Sequence, residues 1–321
     1  MKLSFVVPVY NVEKYLERCI LSLMDQDIPA SDYEVCIVND GTKDNSLEIA
    51  RNLAGRYPNL RVVSQENRGL SGARNTGLKE ISGKYVWFVD SDDAIQKNCL
   101  KGLLNHMEAL ELDTCHIGFT HYFNNGHQRP YIPLSHPKGP VVTGIEFFSE
   151  VDTVPTAWSF VHRTRFLVDN QLAFREGMVH EDEEFLPRML FAAQRAGTYA
   201  HDLYAYFENA TSIMGTRTLR SDLDKCKAMD SFRNFLERNP VPEGFRRKLQ
   251  YRAFVLFQTV LHPKSFFRLS AKDRDRLINA LKETAFYPVP PNPGYSAKFT
   301  VYRLLMNLHL GWYPYIRNWI G

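Results

Sequence analysis

Two acidic centres carry the residues of this 321-residue chain best suited to chemistry. The first is Asp90-Ser91-Asp92-Asp93, reached through the apolar run Tyr85-Val86-Trp87-Phe88-Val89. A short unbroken apolar run reads as a strand covered on both faces, as inside a parallel sheet. Residues two apart in extended backbone point the same way, which puts the Asp90 and Asp92 carboxylates side by side. In open α/β sheets, ligands bind where strands end. Two carboxylates there make a hard-oxygen site suited to Mg2+ or Mn2+. The competing reading is an acidic turn that caps the next helix, a role open to Asp93. The second centre is Val179-His180-Glu181-Asp182-Glu183-Glu184-Phe185. Four carboxylates at a helix start are commonly a solvated N-terminus favoured by the helix dipole. Val179, Phe185, Leu186, Met189 and Leu190 turn one side of this segment towards a core, and a carboxylate on that side would line a cleft and serve as a general base.

Alternating strands and helices must position these groups. Residues 3–10 read as a first strand, stopped by Pro8, with Asn11 placed to cap a helix over 12–24. Residues 34–38 form a second strand ending in Asn39-Asp40-Gly41, followed by a helix over 45–57. A third strand at 60–63 leads into Gln65-Glu66-Asn67-Arg68-Gly69, a helix over 71–80 and then the Asp-bearing strand. Four such alternations with short connections are the signature of a parallel, doubly wound sheet. Parallel strands bring Pro8-Val9-Tyr10-Asn11, Asn39-Asp40-Gly41, Asn67-Arg68-Gly69 and Asp90-Ser91-Asp92 to one sheet edge as a composite pocket. Asp40 can accept a hydrogen bond from an imide N–H of the kind a uracil presents, or can simply form an Asp-Gly turn. Arg74 lies in the first turn of the third helix, where helix amides and a guanidinium can meet a diphosphate; an ordinary surface position is its other reading.

Beyond residue 110 the pattern changes. Strands are expected at 115–123 and 131–134 around Asn124-Asn125-Gly126, helices at 144–151, 163–170 and 181–195, and a strand at 198–208. From residue 222 the chain reads as helical over 222–238, 244–262 and 271–284. A rigid, proline-rich linker at 288–294 then sets off a last segment, 296–320.

The motifs fall in a fixed order: Val7-Pro8-Val9-Tyr10-Asn11, Val38-Asn39-Asp40-Gly41, Glu66-Asn67-Arg68-Gly69-Leu70-Ser71-Gly72-Ala73-Arg74-Asn75, Asp90-Ser91-Asp92-Asp93 and His180-Glu181-Asp182. In that order and at those spacings they resemble family 2 glycosyltransferases with the GT-A fold, over about residues 1–215. The resemblance implies a mainly parallel, Rossmann-like α/β sheet flanked by helices; residues 216–321, outside it, read as a mostly helical C-terminal extension. It implies inverting transfer from a nucleotide-activated sugar to a glycan or lipid-linked acceptor, with Mg2+ or Mn2+ as cofactor. Asp40 would read the base, usually uracil. Pro8, Val9, Tyr10, Asn11, Glu13, Asn67, Gly69, Arg74, Asp90 and Ser91 would also meet the nucleotide sugar. Asp92, with Asp90, would hold the metal bridging the diphosphate, and Asp182 would be the catalytic base. Glu181, His180 and Trp158 would lie on the acceptor side, although packing in the core is the other reading of Trp158. Ser159 and Phe160 replace the polar pair that usually follows such a Trp. Tyr206 and Ser212-Ile213 are similar to a further family segment but lack its arginines. No Gln-x-x-Arg-Trp run follows, so the resemblance is not to processive polymerases. The implied setting is surface-polysaccharide synthesis on the cytoplasmic side.

Composition agrees. An apolar share of 44% supports a full core, and five scattered cysteines without CxxC spacing fit a reducing compartment rather than disulfides or zinc. Met1-Lys2-Leu3 leads straight into a strand, so no signal peptide is expected, and no stretch approaches the ~20 apolar residues that span a bilayer. The net charge of +3 hides a division. Residues 1–215 hold 20 Lys+Arg and 28 Asp+Glu, whereas residues 216–321 hold 19 and 8. The basic back half and the tail residues Phe299, Tyr302, Leu305, Leu308, Trp312, Tyr315, Ile316 and Trp319 suit an anionic membrane surface, or a cover supplied by the catalytic domain or a second subunit. Pro314 should break this segment. No nucleic-acid partner is expected. The rival function is a non-catalytic nucleotide-sugar-binding or scaffold protein, which should have lost a carboxylate at 90, 92 or 182. A nucleotidyltransferase would want a Gly-rich, Arg/Lys-bearing loop after the first strand, and Pro8-Val9-Tyr10-Asn11 is not one.

Overall fold

A computed structural model describes residues 1–133, 136, 138–209 and 218–320, with side chains to residue 317. The strand end expected at Leu134, the Ser212-Ile213 pair, the 215/216 boundary and the Trp319 side chain lie outside the described residues. The chain divides into two compact units: Met1–Gly177 with Glu181–Ser212, and Met178–His180 with Ile213–Gly321.

The first unit runs β1 (Leu3–Val9), α1 (Leu16–Met24), β2 (Tyr33–Asn39), α2 (Ser46–Arg56), β3 (Leu60–Ser64), α3 (Gly69–Glu80), β4 (Tyr85–Phe88), β5 (Ala94–Ile95), α4 (Leu100–Ala109), β6 (Thr114–Tyr122), β7 (Gln128–Tyr131), α5 (Gly144–Glu150), β8 (Phe160–Arg163), α6 (Thr164–Asp169), α7 (Glu181–Ala192) and β9 (Ala196–Phe207). One sheet has the order β3-β2-β1-β4-β8-β6-β9-β5, with β7 added on β6. β3, β2, β1 and β4 are mutually parallel. β8 then enters antiparallel between β4 and β6, while β6 and β9 run parallel. β1, β2 and β4 are buried along their whole length, in keeping with their apolar runs, and the polar Ser4, Glu34 and Asn39 are buried with them. α3 lies close on β1, because a Cβ at Gly77 would stand 2.3 Å from Val6 Cγ1.

Several boundaries depart from expectation. Asn11 does not cap a helix. It sits at φ +54°, and its Oδ1 accepts the Lys43 N–H, so α1 starts only at Leu16 after a turn. Asp93 does not cap a helix either; its carboxylate binds β9. β4 ends at Phe88, and Asp90–Asp93 form a turn closed by Asp93 N–H on the Asp90 carbonyl, so Asp90 and Asp92 lie beyond the strand rather than along it. The sequence reading missed α4, β5 and β8, and placed β7 three residues too late.

The second unit holds α8 (Leu219–Arg238), α9 (Glu243–Val260), α10 (Pro263–Phe266), α11 (Ala271–Glu283), α12 (Ala297–Leu308) and α13 (Tyr313–Ile320). Within it, Val179 N–H donates to Asp224, and His180 Nε2 lies 2.8 Å from Ser221 Oγ. The proline-rich stretch is not a free spacer. Val289 is buried and exchanges two hydrogen bonds with the Asn307 amide, and Asn292 donates to the Arg247 carbonyl. Tyr302, Met306, Leu310 and Tyr313 turn inward, so Tyr302 leaves the expected apolar surface. Leu308 and Trp312 remain 80% and 64% exposed, with Val301, Leu304 and Tyr315 also on the outside. The break falls between α12 and α13, and Pro314 sits in the first turn of α13, where its missing N–H costs nothing. All five cysteines are buried free thiols. Among the described residues, no helix is long and apolar enough to cross a membrane.

Candidate active site

The site is built on Arg74. α3 carries this side chain into the interior, where it is only 1% exposed. One guanidinium nitrogen donates to Asp90 Oδ1 at 2.7 Å and the other to Glu181 Oε1. Its guanidinium also lies 5.2 Å from the centre of the Phe174 ring. The end of β4 and the start of α7 are thereby joined through one buried cation. Burial alone would favour losing its proton, but the charges of Asp90 and Glu181 hold the guanidinium protonated. Arg74 is therefore neither a surface residue nor a free arm for a ligand. The next residue, Asn75, was missed as a site element. Its amide donates to the Phe174 carbonyl and accepts the Phe174 N–H, both at 2.8 Å, which fastens the segment that leads to α7. A polar residue on the buried, small-residue side of a helix was the available signal.

At the start of α7, Glu181 is buried against Arg74 and Glu184 is paired with Arg188. Asp182 is half-buried between them. Burial, then the neighbouring charge of Glu181, push its carboxyl well above the usual carboxylate range, with Arg74 opposing. The expected solvated acidic run is thus partly an interior feature. His180 belongs to the second unit and is not among the residues gathered here.

At the turn after β4, Ser91 is buried at the bend and Asp92 is half-buried, accepting from Asn209 Nδ2 at 3.0 Å. Burial and the charge of Asp90 raise the Asp92 carboxyl. Arg18, also missed in the sequence, reaches from α1 to donate to the Asp92 carbonyl, its guanidinium 3.8 Å from the centre of the Phe207 ring.

Asp40 follows β2 and is buried. Its Oδ1 accepts from Gln65 Nε2 at 2.7 Å and from Arg68 N–H at 2.8 Å, and Asn67 Nδ2 donates to its carbonyl. Gly41 takes φ +70°, with Asn67 N only 3.2 Å from where a Cβ would stand, so the Asp-Gly turn is present as read. Beside them opens a cleft of about 490 Å³ lined by Gly41, Lys43, Ser64, Gln65, Glu66 and Asn67. A smaller cavity of about 220 Å³, bounded by Lys2, Asp27, Lys101 and Glu108, sits at the opposite end of β1 and holds none of the motif residues. Gly69 opens α3 at the cleft edge.

The loop after β1 is bolted to the loop after β2. Pro8 and Val9 are buried in the strand, and Tyr10 is 46% exposed. Asn11 bonds Thr42 and Lys43, and Glu13 Oε2 accepts both N–H groups of Asn45 at 2.9 Å. Glu13 N–H donates in turn to Asp44, whose carboxyl, against the opposing effect of burial, is drawn down to about 2 by bonds from Ser46, Thr42 and Glu13. Asn11 Oδ1 and Glu13 Oε2 are thus engaged in this cross-link, which shapes the loop. Trp158 is likewise corrected: it is 4% exposed, stacked on Tyr204 at 4.3 Å and edge-on to Phe119, a core residue and not an open acceptor platform. Tyr206 stacks beyond it.

Residues 4–169 match the family described as glycosyl transferase family 2. The chain belongs to glycosyltransferase family 2. Among its relatives, the Bacillus subtilis glycosyltransferase EpsJ is 36% identical over 217 residues, covering 65% of this chain and 62% of EpsJ. Escherichia coli YibD is 30% identical over 274 residues, covering 81% of this chain and 79% of YibD. The chain thus spans under two thirds of EpsJ but most of YibD. Staphylococcus aureus TarS residues 1–349, solved with UDP, superpose with a TM-score of 0.68 at 26% identity, covering 88% of this chain and 79% of that one. A Pyrobaculum calidifontis mannosyltransferase solved with GDP-Man and Mn2+ shares the fold, with a TM-score of 0.57 at 15% identity over 96% of this chain and 87% of that one. The mixed α/β unit is accordingly a GT-A fold.

Does this family 2 chain suit a divalent metal? Among the described residues, no three His, Cys, Asp or Glu side chains are grouped to hold an ion by themselves. Mg2+ needs no such cage, since it is commonly held by one or two carboxylates together with substrate phosphates. Asp92 meets that requirement: a half-buried carboxylate destabilised by its neighbour Asp90 is relieved by a cation. Asp90 is already shared with Arg74, so Asp92 would be the principal donor to such an ion.

Proposed function

We propose that this family 2 member is an inverting glycosyltransferase. It would move a sugar from a uridine-diphosphate donor to a hydroxyl of a glycan or lipid-linked glycan, in the synthesis of a surface polysaccharide. The observation that carries this reading is the Arg74 bridge. It brings the acidic turn after β4 and the raised carboxyl of Asp182 to one buried cation. The uridine donor is supported by the cleft beside Asp40 and by TarS, which is solved with UDP and with UDP-GlcNAc. The glycan setting is supported by relatives such as the poly(ribitol-phosphate) β-N-acetylglucosaminyltransferase TarS of S. aureus, 33% identical over 211 residues.

In this reading the base enters the cleft at Asp40, and the diphosphate lies along the strand ends towards Asp90 and Asp92. A Mg2+ or Mn2+ ion, when bound by Asp92 with Asp90 beside it, supplies positive charge for the departing diphosphate. Asp182 takes the proton from the acceptor hydroxyl as that oxygen attacks the anomeric carbon from the face opposite the diphosphate. Arg74 keeps Asp90 and Glu181 charged and in place, and Glu181 in turn keeps the Asp182 carboxyl basic enough to accept the proton. Residues 296–320 are proposed to touch an anionic membrane surface at the periphery, on the strength of exposed Leu308, Trp312 and Tyr315 within a basic half.

The test is Asp182→Asn. Transfer from UDP-sugars should fall roughly 10²–10⁴-fold, the usual worth of a positioned base. Calorimetric UDP binding should stay as in wild type. Wild-type turnover in the variant removes Asp182 from the role.

A further inference from the structure

Each carboxylate residue of the turn after β4 is tied to the last residues of β9 or those just after it. Asp90 N–H donates to the Tyr204 hydroxyl at 3.2 Å. The same hydroxyl donates to Asp93 Oδ2 at 2.7 Å, while Asp93 Oδ1 accepts the Phe207 N–H at 2.9 Å. Asp92 Oδ2 accepts from Asn209. Asp93, buried and with both oxygens used, is therefore a structural carboxylate facing β9. The Tyr204 ring cannot drift. It lies parallel to Trp158 within 2°, at 4.3 Å, and its centre is 6.3 Å from that of Trp87. Trp87 Nε1 closes the stack by donating to the Trp158 carbonyl at 2.8 Å. Antiparallel pairing of Ala94 with Ala205 and Ile95 with Tyr204 fixes the register along which these bonds form.

We propose that Tyr204 is a positioning residue for the donor site. Its hydroxyl, clamped by Asp93 and backed by the Trp158 stack, fixes the backbone at Asp90, and with it the placement of Asp92 for a metal–diphosphate complex. This rests on the donor-site reading above. It gives the buried Trp158 and Asp93 a purpose that neither a cap nor an acceptor contact supplies. Tyr204→Phe keeps the ring and removes both hydroxyl bonds, so the turn loses its fixed geometry while the stack remains. Preorganisation of this kind is worth affinity because the bound geometry need not be assembled on binding.

The experiment titrates UDP into the full chain by calorimetry, with and without Mn2+. Wild type should bind UDP more tightly with Mn2+. Tyr204→Phe should bind UDP alone as wild type does, yet lose roughly tenfold of the Mn2+-dependent gain, as expected for bonds that orient a charged group. Asp93→Asn, which cannot accept from both Tyr204 and Phe207, should shift in the same direction. A general loss of packing would weaken binding equally in both titrations and would overturn the assignment. So would an undiminished Mn2+ gain in both variants. If wild type itself shows no Mn2+ gain, the donor-site reading fails and takes this inference with it, a result visible before any variant is made.

Discussion

Asp182 is placed where two needs conflict. As the proposed base for an acceptor hydroxyl it works best with its pKa near the working pH, and burial beside Glu181 raises it in that direction. The same shift costs stability. Between the unfolded carboxyl value of about 4 and the raised folded value, the folded chain keeps a proton that the unfolded chain has released. Folding therefore weakens as pH rises through that window. Asp182→Asn removes the penalty, so the variant should melt higher than wild type at pH 8 and about equally at pH 4. Matching melts at both pH values would show that the carboxyl is not raised. Arg74 shows where sequence reading stops at this scale. Helical spacing placed it on α3, but not the meeting with Asp90, 16 positions away, and Glu181, 107 positions away. Asn11 was picked out by its motif and Glu13 by the family resemblance, and their cross-link to the next loop is a tertiary event that no local pattern encodes.

Among elements, the parallel half was legible because strands buried on both faces carry short apolar runs, residues 5–9 in β1, 35–38 in β2 and all of β4. β5 and β8, two and four residues long, carry too few positions for any periodicity to register. The seating of α3 on β1 decides where Arg74 goes, and it depends on the bare backbone at Gly77. Gly77→Ala gains helix propensity but drives a Cβ into the fully buried Val6. Overpacking should win, lowering stability by about 1–3 kcal/mol in urea unfolding. Adding Val6→Ala should cost less in the Gly77→Ala background than in wild type, the mark of two residues sharing one space. Additive losses would disprove the contact.

Across the whole molecule, the acidic front and basic back were plain from charge counts, as was a last segment set apart. Which tail aromatics face outward was not, because α12 and α13 each bury one side: Tyr302 and Tyr313 went in while Leu308 and Trp312 stayed out. If that face meets a bilayer, the chain should co-sediment with anionic liposomes at low salt, less so as salt rises, and Trp312→Ala with Leu308→Ala should weaken capture. Equal retention by neutral liposomes, or none by either, ends that proposal. The sheet leaves its all-parallel run at β8, which pairs antiparallel with both β4 and β6. On one side of β8, the strands β3, β2, β1 and β4 all finish at the same edge; on the other, β6 and β9 keep that heading while β7 and β5 run against it. Insertions in the loops of the far side leave the near side's alignment untouched, so those loops can vary while the parallel edge stays as it was.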